Sequence, residues 1–583
     1  MTRRFRPADH QPPLPLERIL LSEPPDPEAI EMDVVVVGAG PAGLATAIEL
    51  ARLVRGDAEA GGSLGAVNIA VLDKASAPGE HSLSGAVINP RALRELFPDL
   101  KDSDFPLHTP VWKERTFFLT RGSAIPIPTP PTMRNAGFFV ASLSELCRWM
   151  AERAEELGIN LLSGFPVESL LLESGRVIGV RTTPSGLDRS GEAGPRFEPG
   201  TDLAARVVVL AEGSRGPLTM AWRQSQGIGS PNPQIFALGV KELWEVKKPL
   251  DTVIHMAGWP LPRGTFGGGF VFPLAPDRIA LGLVAGLDSR NSSFDVHESL
   301  QRMKTHPFLR PHLEGGEMVE WGAKTIPEGG FYSLPDRRSG DGVLVVGDAA
   351  GFVDVASLKG IHYAMQTGIF AARAIFRALK AGKSGYPDCE RAGGSTREPE
   401  VGIAASAGGV LSASTLAEYD RETNESYVIS ELYERRNMRL AFRDGLVIGG
   451  VKAGLMMLTR GRIPGGKIPV VADALVERKV EPAVPFVPDG KLTFAKADAV
   501  FRSGNRTRDD IPSHLVIGDD AGEETGQELA EFYQHLCPAG VYEWRDGRLV
   551  VNAPNCVDCR ATDVLGPRWS PREGGSGPAY KEM

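Results

Sequence analysis

Three of the chain's five cysteines stand at positions 537, 556 and 559. They read His535-Leu536-Cys537-Pro538, then Asn555-Cys556-Val557-Asp558-Cys559. A Cys-Pro followed by Cys-x-x-Cys is a common way of holding an iron–sulfur cluster through thiolates. At the other end of the chain, Gly38-Ala39-Gly40-Pro41-Ala42-Gly43 follows the apolar run Met32–Val37 and opens a helical pattern. In that setting Gly38 permits the tight turn, Gly40 lets backbone N–H groups approach a pyrophosphate, and Gly43 lets helix and strand pack closely. The helix N-terminus offers its positive end to the phosphates. Asp73 closes a second apolar run, Val67–Asp73, where a carboxylate can accept from the adenosine ribose. It lies further from the fingerprint than the usual ~20 residues, and a glycine-rich insertion, Gly56–Gly65, accounts for the excess. The plain alternative is a glycine turn with a surface Asp. Two redox centres on one chain point to electron transfer.

A second distant signal favours FAD over NAD. Val343–Val346 runs into Gly347-Asp348-Ala349-Ala350-Gly351 and a small-residue helix start. This resembles the segment of FAD enzymes with a glutathione-reductase-like fold in which an Asp holds the ribityl chain. An N-cap is the ordinary alternative role for Asp348.

The elements that must position these groups follow from periodicity. A β-α-β unit starts at Met32, with its helix running to about Leu53. Ser142–Leu157 has helical spacing, Arg206–Leu210 and Gly342–Val346 read as buried strands, and a long helix spans about Gly360–Leu379. From about Pro233 to Gly286 the glycine-punctuated pattern predicts an antiparallel sheet. A further helix is expected around Glu418–Phe442. Residues 1–30 read as an extended arm, 381–480 as an insertion with helices, and 481–583 as an appended module. The predicted class is therefore α/β (α+β overall). The FAD-binding domain is drawn from 31–110, 205–220 and 340–380, and a second domain from 111–204 and 221–339. At 583 residues more than one core is expected. A net charge of −9 without a concentrated basic face argues against nucleic acid. An odd cysteine count with three clustered suits a reducing compartment and metal ligation. No apolar run is long enough to span a membrane, and the basic N-terminus lacks the apolar stretch of a secretory signal.

With fingerprint, Gly-Asp segment and cysteine-rich tail taken together, the chain resembles the electron-transfer flavoprotein–ubiquinone oxidoreductase family. The resemblance runs from about residue 31 to Tyr580. It includes His81-Ser82-Leu83-Ser84-Gly85-Ala86, Gly239–Trp244, Gly258-Trp259-Pro260-Leu261, Leu313–Gly316, Glu328–Phe331 and Cys537–Glu543. It implies a glutathione-reductase-like FAD fold, an antiparallel quinone domain and a ferredoxin-like iron–sulfur module. It further implies FAD contacts at Ser84, Gly85 and Gly351, reduced electron-transfer flavoprotein as donor, a [4Fe-4S] cluster, and membrane ubiquinone as acceptor. The quinone site is carried over onto Phe266, Gly267 and Gly268; Phe266 stands where some members have Tyr, so a hydroxyl is absent. Close strand packing is the bland reading of those glycines.

One departure is conspicuous. The family's tail reads Cys-x-x-Cys-x-x-Cys, but here Cys559 is followed by Arg560-Ala561-Thr562-Asp563, with Thr562 in place of the last cysteine. Four thiolates are the rule for a [4Fe-4S] cluster. The outcomes are a [4Fe-4S] cluster completed by Thr562, Asp563 or water, a [3Fe-4S] cluster, zinc held with His535 or Asp563, or no metal. The retained surrounding segments favour a cluster. Cys147, on a helix, and Cys389, in a flexible insertion, are poor substitutes.

Leu446–Leu458 is apolar except for Lys452 and precedes Arg460-Gly461-Arg462. Leu446, Val447, Ile448, Leu455, Met456 and Met457 are the expected membrane contacts of a monotopic protein, a buried core helix being the alternative. The location implied is the cytoplasmic face of a bacterial inner membrane, or the matrix face in a mitochondrion. Two other readings are a flavoprotein that reduces isoprenoid double bonds, and a tail that only docks a partner.

Overall fold

The computed structural model describes residues 4–384 except 86, residues 409–518 except 464 and 483, and residues 526–583. Its centre is a sheet of nine strands among the described residues. Ile30–Val37 lies in the middle, parallel to Ile69–Asp73 on one side and to Asp202–Leu210 on the other. Asn160–Ser163 extends the first side in parallel. On the other side Val343–Val345 pairs with one end of Asp202–Leu210 and Arg176–Thr182 with the opposite end. The central strands are unbroken runs of buried valine and leucine, as a sheet covered on both faces requires.

Helix Pro41–Glu59 leaves the fingerprint and packs along helix Ile361–Ser384. Gly368 makes that approach possible, since a Cβ there would stand 2.3 Å from the carbonyl oxygen of Ala42. The Gly-Asp segment and the fingerprint are thereby fixed side by side, although some three hundred residues separate them.

The second sheet has seven strands among the described residues. Phe236–Glu245, Val253–Gly258, Gly267–Ala275, Arg278–Gly286 and Glu317–Pro327 pair antiparallel, as expected, and the outer edge of Val253–Gly258 lies parallel to Glu114–Leu119.

Several elements differ from their expected places. The helix after the fingerprint runs to Glu59 and absorbs the start of the Gly56–Gly65 stretch. Strands within 160–182, assigned by sequence to the second domain, complete the nucleotide sheet. The N-terminal arm is packed: Arg4 and Phe5 pair with Lys479 and Arg478, and Leu20 and Leu21 pair with Leu170 and Leu171. These pairings join segments hundreds of residues apart, so no local pattern announces them. The helix expected at 418–442 is three, Ala413–Glu425, Tyr427–Glu434 and Met438–Ala441, with Ser426 capping the second. The cysteine-bearing tail keeps its own hairpin, Tyr542–Arg545 with Arg548–Val551, but Cys537, Cys556 and Cys559 share one apolar core with Leu238, Leu281 and Trp321 of the second sheet. Residues 385–408 of the insertion, including Cys389, lie outside the described residues.

Candidate functional site

One cavity of about 1360 Å³ is lined at one end by Gly38, Gly40 and Asp73 and at the other by Phe266, Phe442 and Met457. That exceeds the ~300–1,000 Å³ of an ordinary ligand pocket, so the space suits more than one bound molecule.

The nucleotide end is shaped by glycine. Gly38 has φ +113°, and a Cβ there would stand 2.4 Å from the oxygen of Ala211; a Cβ on Gly43 would stand 2.0 Å from the oxygen of Gly38. A Cβ on Gly40 would meet nothing within 4 Å, which leaves its backbone open to the cavity that it lines. This division fits a pyrophosphate seated at Gly40 with Gly38 and Gly43 closing the turn behind it. Asp73 Oδ2 accepts from Ala39 N at 2.8 Å and Oδ1 from Ala75 N at 2.8 Å. The carboxylate braces the fingerprint loop, and each oxygen keeps a second lone pair for a ribose hydroxyl. Ser84 and Gly85 line the same cavity.

Asp348 stands in the turn Gly347–Ala349, half-buried with the cavity as its open side. Burial pushes its carboxyl up to about 6. Gly347 needs its φ of +60°, and a Cβ there would press within 2.8 Å of Ala42 Cβ. Gly351, also at positive φ, lies against Gln234.

Sequence reasoning missed several polar groups of the cavity. Lys359 is buried, donates to Asn135 Oδ1 at 2.5 Å and to Ser357 O at 3.0 Å, and is held down to about 8 by burial. His255 is buried with Nε2 unpaired, and burial holds it down to about 4, so it is a neutral imidazole. Lys324 is held down to about 8, by burial first and then by Lys74. Only the three-dimensional crossing of two sheets brings these together; the sole local signal was Gly360 after Lys359, at a helix start.

At the other end, Gly267, Gly268 and Gly269 line the cavity, but each missing Cβ would collide with a neighbouring element: Val284 O at 2.1 Å, Met256 O at 2.4 Å and Met303 Sδ at 2.6 Å. Strand packing alone therefore requires these glycines. The Phe266 ring lies 5.3 Å from Phe442 and carries the Arg439 guanidinium 4.0 Å from its centre. Arg439 is held in turn by Glu328 at 2.7 Å and Asp288 at 3.2 Å.

Helix Leu446–Leu458 borders this end through Gly450, Ala453 and Met457. Of the expected contacts, Ile448 and Leu455 are exposed, whereas Met456 is buried against Met438 and Ala441, and Met457 is half-buried. The side chains of Leu446 and Val447 lie outside the described residues. The outward stripe is Ile448, Val451, Leu455 and Leu458, a 3-4-3 spacing that keeps one face and turns Met456 inward. No described helix is long and apolar enough to cross a membrane.

In the tail, Cys537 follows helix Gly526–Leu536, and Cys556 and Cys559 lie in the loop before helix Ala561–Leu565. All three are buried and unpaired in disulfides. Burial raises each thiol, Cys556 to about 12, and Cys559 is raised further by Cys537 and Cys556, its neighbours. Two zinc-bound sulfurs would stand about 3.8 Å apart, given Zn–S near 2.3 Å in a tetrahedron. Among the described residues the one metal-ligating trio within 4.8 Å of one another is His514, Cys556 and Asp558, so the three thiols do not all converge to that distance. The exceptional trio does not invite a cation either, since Asp558 is closed by Lys74 at 2.5 Å and Arg572 at 3.0 Å. The buried Tyr542 hydroxyl lies beside the thiols and against Thr562. Three buried free thiols fit an iron–sulfur cluster with one thiolate fewer than the usual four.

Residues 236–326 match the family described as ETF-QO, ubiquinone-binding, and residues 490–581 match electron transfer flavoprotein-ubiquinone oxidoreductase, 4Fe-4S. A mitochondrial electron transfer flavoprotein-ubiquinone oxidoreductase of Oryza sativa subsp. japonica is 35% identical over 95% of this chain and 94% of its own length. Its Homo sapiens counterpart is 35% identical over 95% of this chain and 90% of its own. A geranylgeranyl bacteriochlorophyll reductase-like protein of Thermoplasma acidophilum shares the fold, with TM-score 0.54 at 16% identity over 74% of this chain and 92% of that one.

Proposed function

The chain belongs to the electron transfer flavoprotein-ubiquinone oxidoreductase family, and on that premise we propose that it takes electrons from reduced electron-transfer flavoprotein and delivers them to ubiquinone. The observation that carries the reading is the single cavity, bordered by the fingerprint, the Gly-Asp turn, the ubiquinone-binding segment and an exposed apolar helix. When bound, FAD exchanges electrons in pairs or singly, and an iron–sulfur cluster carries one at a time.

The chain's own part is to hold and orient. Gly38, Gly40 and Gly43 seat the pyrophosphate, Asp73 takes the ribose, and Ser84, Gly85, Gly347, Asp348 and Gly351 surround the rest of the FAD. Cys537, Cys556 and Cys559 hold the cluster. Phe266, Gly267 and Gly268 face the quinone, and Arg439, anchored by two carboxylates, fixes the Phe266 ring. Ile448, Val451, Leu455 and Leu458 rest in the membrane interface, so that a quinone tail enters beside Gly450 and Ala453. We place the protein on the surface of an inner membrane, the cytoplasmic face in a bacterium or the matrix face in a mitochondrion.

Reduction of prenyl double bonds is not favoured, because the reductase-like neighbour shares only the fold. The test supplies anaerobically reduced electron-transfer flavoprotein with a short-chain ubiquinone, and separately a geranylgeranyl substrate. Quinol formation with the first and no reaction with the second is the expected result; the reverse overturns the reading.

A further inference from the structure

We propose that the cluster in the tail is held by three thiolates only, and that its fourth iron, facing Thr562, is exchangeable. The inference rests on the proposed cluster and concerns which ligand completes it. Thr562 follows Cys559 by the same three residues that separate Cys559 from Cys556. It is buried in the first turn of helix Ala561–Leu565, against the Tyr542 hydroxyl, which itself lies in the field of Cys537 and Cys556.

The carboxylates of the cysteine loop and the nearby His514 are committed elsewhere. Asp563 Oδ2 accepts from Arg215 Nε at 2.9 Å and Oδ1 from Trp569 N at 3.2 Å, while its carbonyl accepts from Gln11 and Arg215. Asp558 is enclosed by Lys74, Arg572 and the Trp569 indole N–H at 3.0 Å. His514 stacks its ring nitrogens against Arg572 at 3.3 to 3.4 Å. Cys147 belongs to the other core, packed beside Ser82. Thr562 itself offers only a neutral hydroxyl, and an alcohol binds ferrous iron far more weakly than a thiolate because it must first lose a proton of much higher pKa.

The exchange balances without an electron donor or acceptor: [4Fe-4S]²⁺ releases Fe²⁺ and leaves [3Fe-4S]⁰, with all three thiolates and four sulfides retained. Added ferrous iron reverses it.

The experiment measures iron, acid-labile sulfide and zinc per FAD on anaerobically purified full-length protein, before and after a ferrous chelator and desalting. Expected is a fall from about four irons to about three at constant sulfide. Ferricyanide oxidation then gives the EPR signal of an oxidised three-iron cluster, and added Fe²⁺ restores the fourth iron. Thr562→Cys should keep four irons throughout. Wild type that keeps four irons in chelator overturns the inference and leaves the cluster reading standing. Zinc, or no iron, overturns the cluster reading itself. The wild-type measurement decides even where the variant does not fold.

Discussion

The backbone amide of Thr325 donates to the carbonyl of Cys559 at 2.9 Å. Thr325 and its neighbour Lys324 line the cavity, and Lys324 Nζ reaches Asp558 O at 3.3 Å. The loop between the two paired cysteines therefore rests directly on the cavity wall. Arg560, one residue further, lies 3.2 Å over Trp569, and both line the cavity as well. The loop that would hold a cluster thus packs on residues of the cavity wall, so the tail is built into the site rather than tethered to it.

The Arg215–Asp563 pair is structural in this account. Asp563→Asn leaves a mostly buried guanidinium without its counter-charge, and breaking such a pair costs about 3 kcal/mol or more. Denaturant unfolding should shift by that order while iron per FAD stays unchanged. Loss of iron from a folded variant would instead make Asp563 a ligand.

The three fingerprint glycines should separate by experiment. Gly43→Ala forces a Cβ to within 2.0 Å of a backbone oxygen and should cost the fold itself, seen as lost soluble protein or altered circular dichroism. Gly40→Ala meets no protein atom, so the variant should fold, melt like wild-type apo-protein and retain much less FAD by its visible absorbance. Equal flavin loss from two equally folded variants would remove the pyrophosphate from Gly40.

Asp348 ties stability to pH. Its carboxyl, normally near 3.8, is raised to about 6 by burial. Between those values the folded apo-protein keeps a proton that the unfolded chain has released, so this group's contribution falls as pH rises and stays low above 6. Asp348→Asn should match wild-type apo-protein near pH 4 and exceed it in denaturation midpoint above pH 6. Its FAD affinity should fall about tenfold or more, the scale of a hydrogen bond to a charged acceptor. Unfolding at several pH values and flavin-fluorescence titration check the two halves.

Replacing Ile448, Val451, Leu455 and Leu458 together by serine removes the exposed stripe without touching the buried Met456. At roughly 1 kcal/mol for each inserted aliphatic side chain, binding to anionic phospholipid vesicles should weaken by about a hundredfold or more in a flotation assay. Activity with a water-soluble quinone analogue should persist. Unchanged vesicle binding would take the membrane contact away from this helix.

What sequence could reveal was set by how local each signal is. The fingerprint, the Gly-Asp turn and Cys556-Val557-Asp558-Cys559 are contiguous, and backbone geometry demands glycine at Gly38 and Gly43, so they were readable. Met456 was misassigned because apolar composition, rather than the 3.6-residue period, was used to choose the outward face; the Ile448–Leu458 spacing held the answer. His255, Lys324 and Lys359 reach one cavity from different elements, and Arg4 pairs with Lys479 across the chain. Such meetings depend on the packing of whole layers and leave no mark in neighbouring residues. The quinone glycines show the converse: their motif was visible, but sheet packing accounts for it as fully as a ligand does.

The most direct test mixes oxidised protein anaerobically with reduced electron-transfer flavoprotein in a stopped-flow spectrophotometer, with and without a ubiquinone analogue. The account predicts that the flavin absorbance bleaches on mixing and recovers only when quinone is present, with quinol formed in proportion. Flavin that stays oxidised in the presence of the reduced donor, or that bleaches and never passes electrons to quinone, would contradict it.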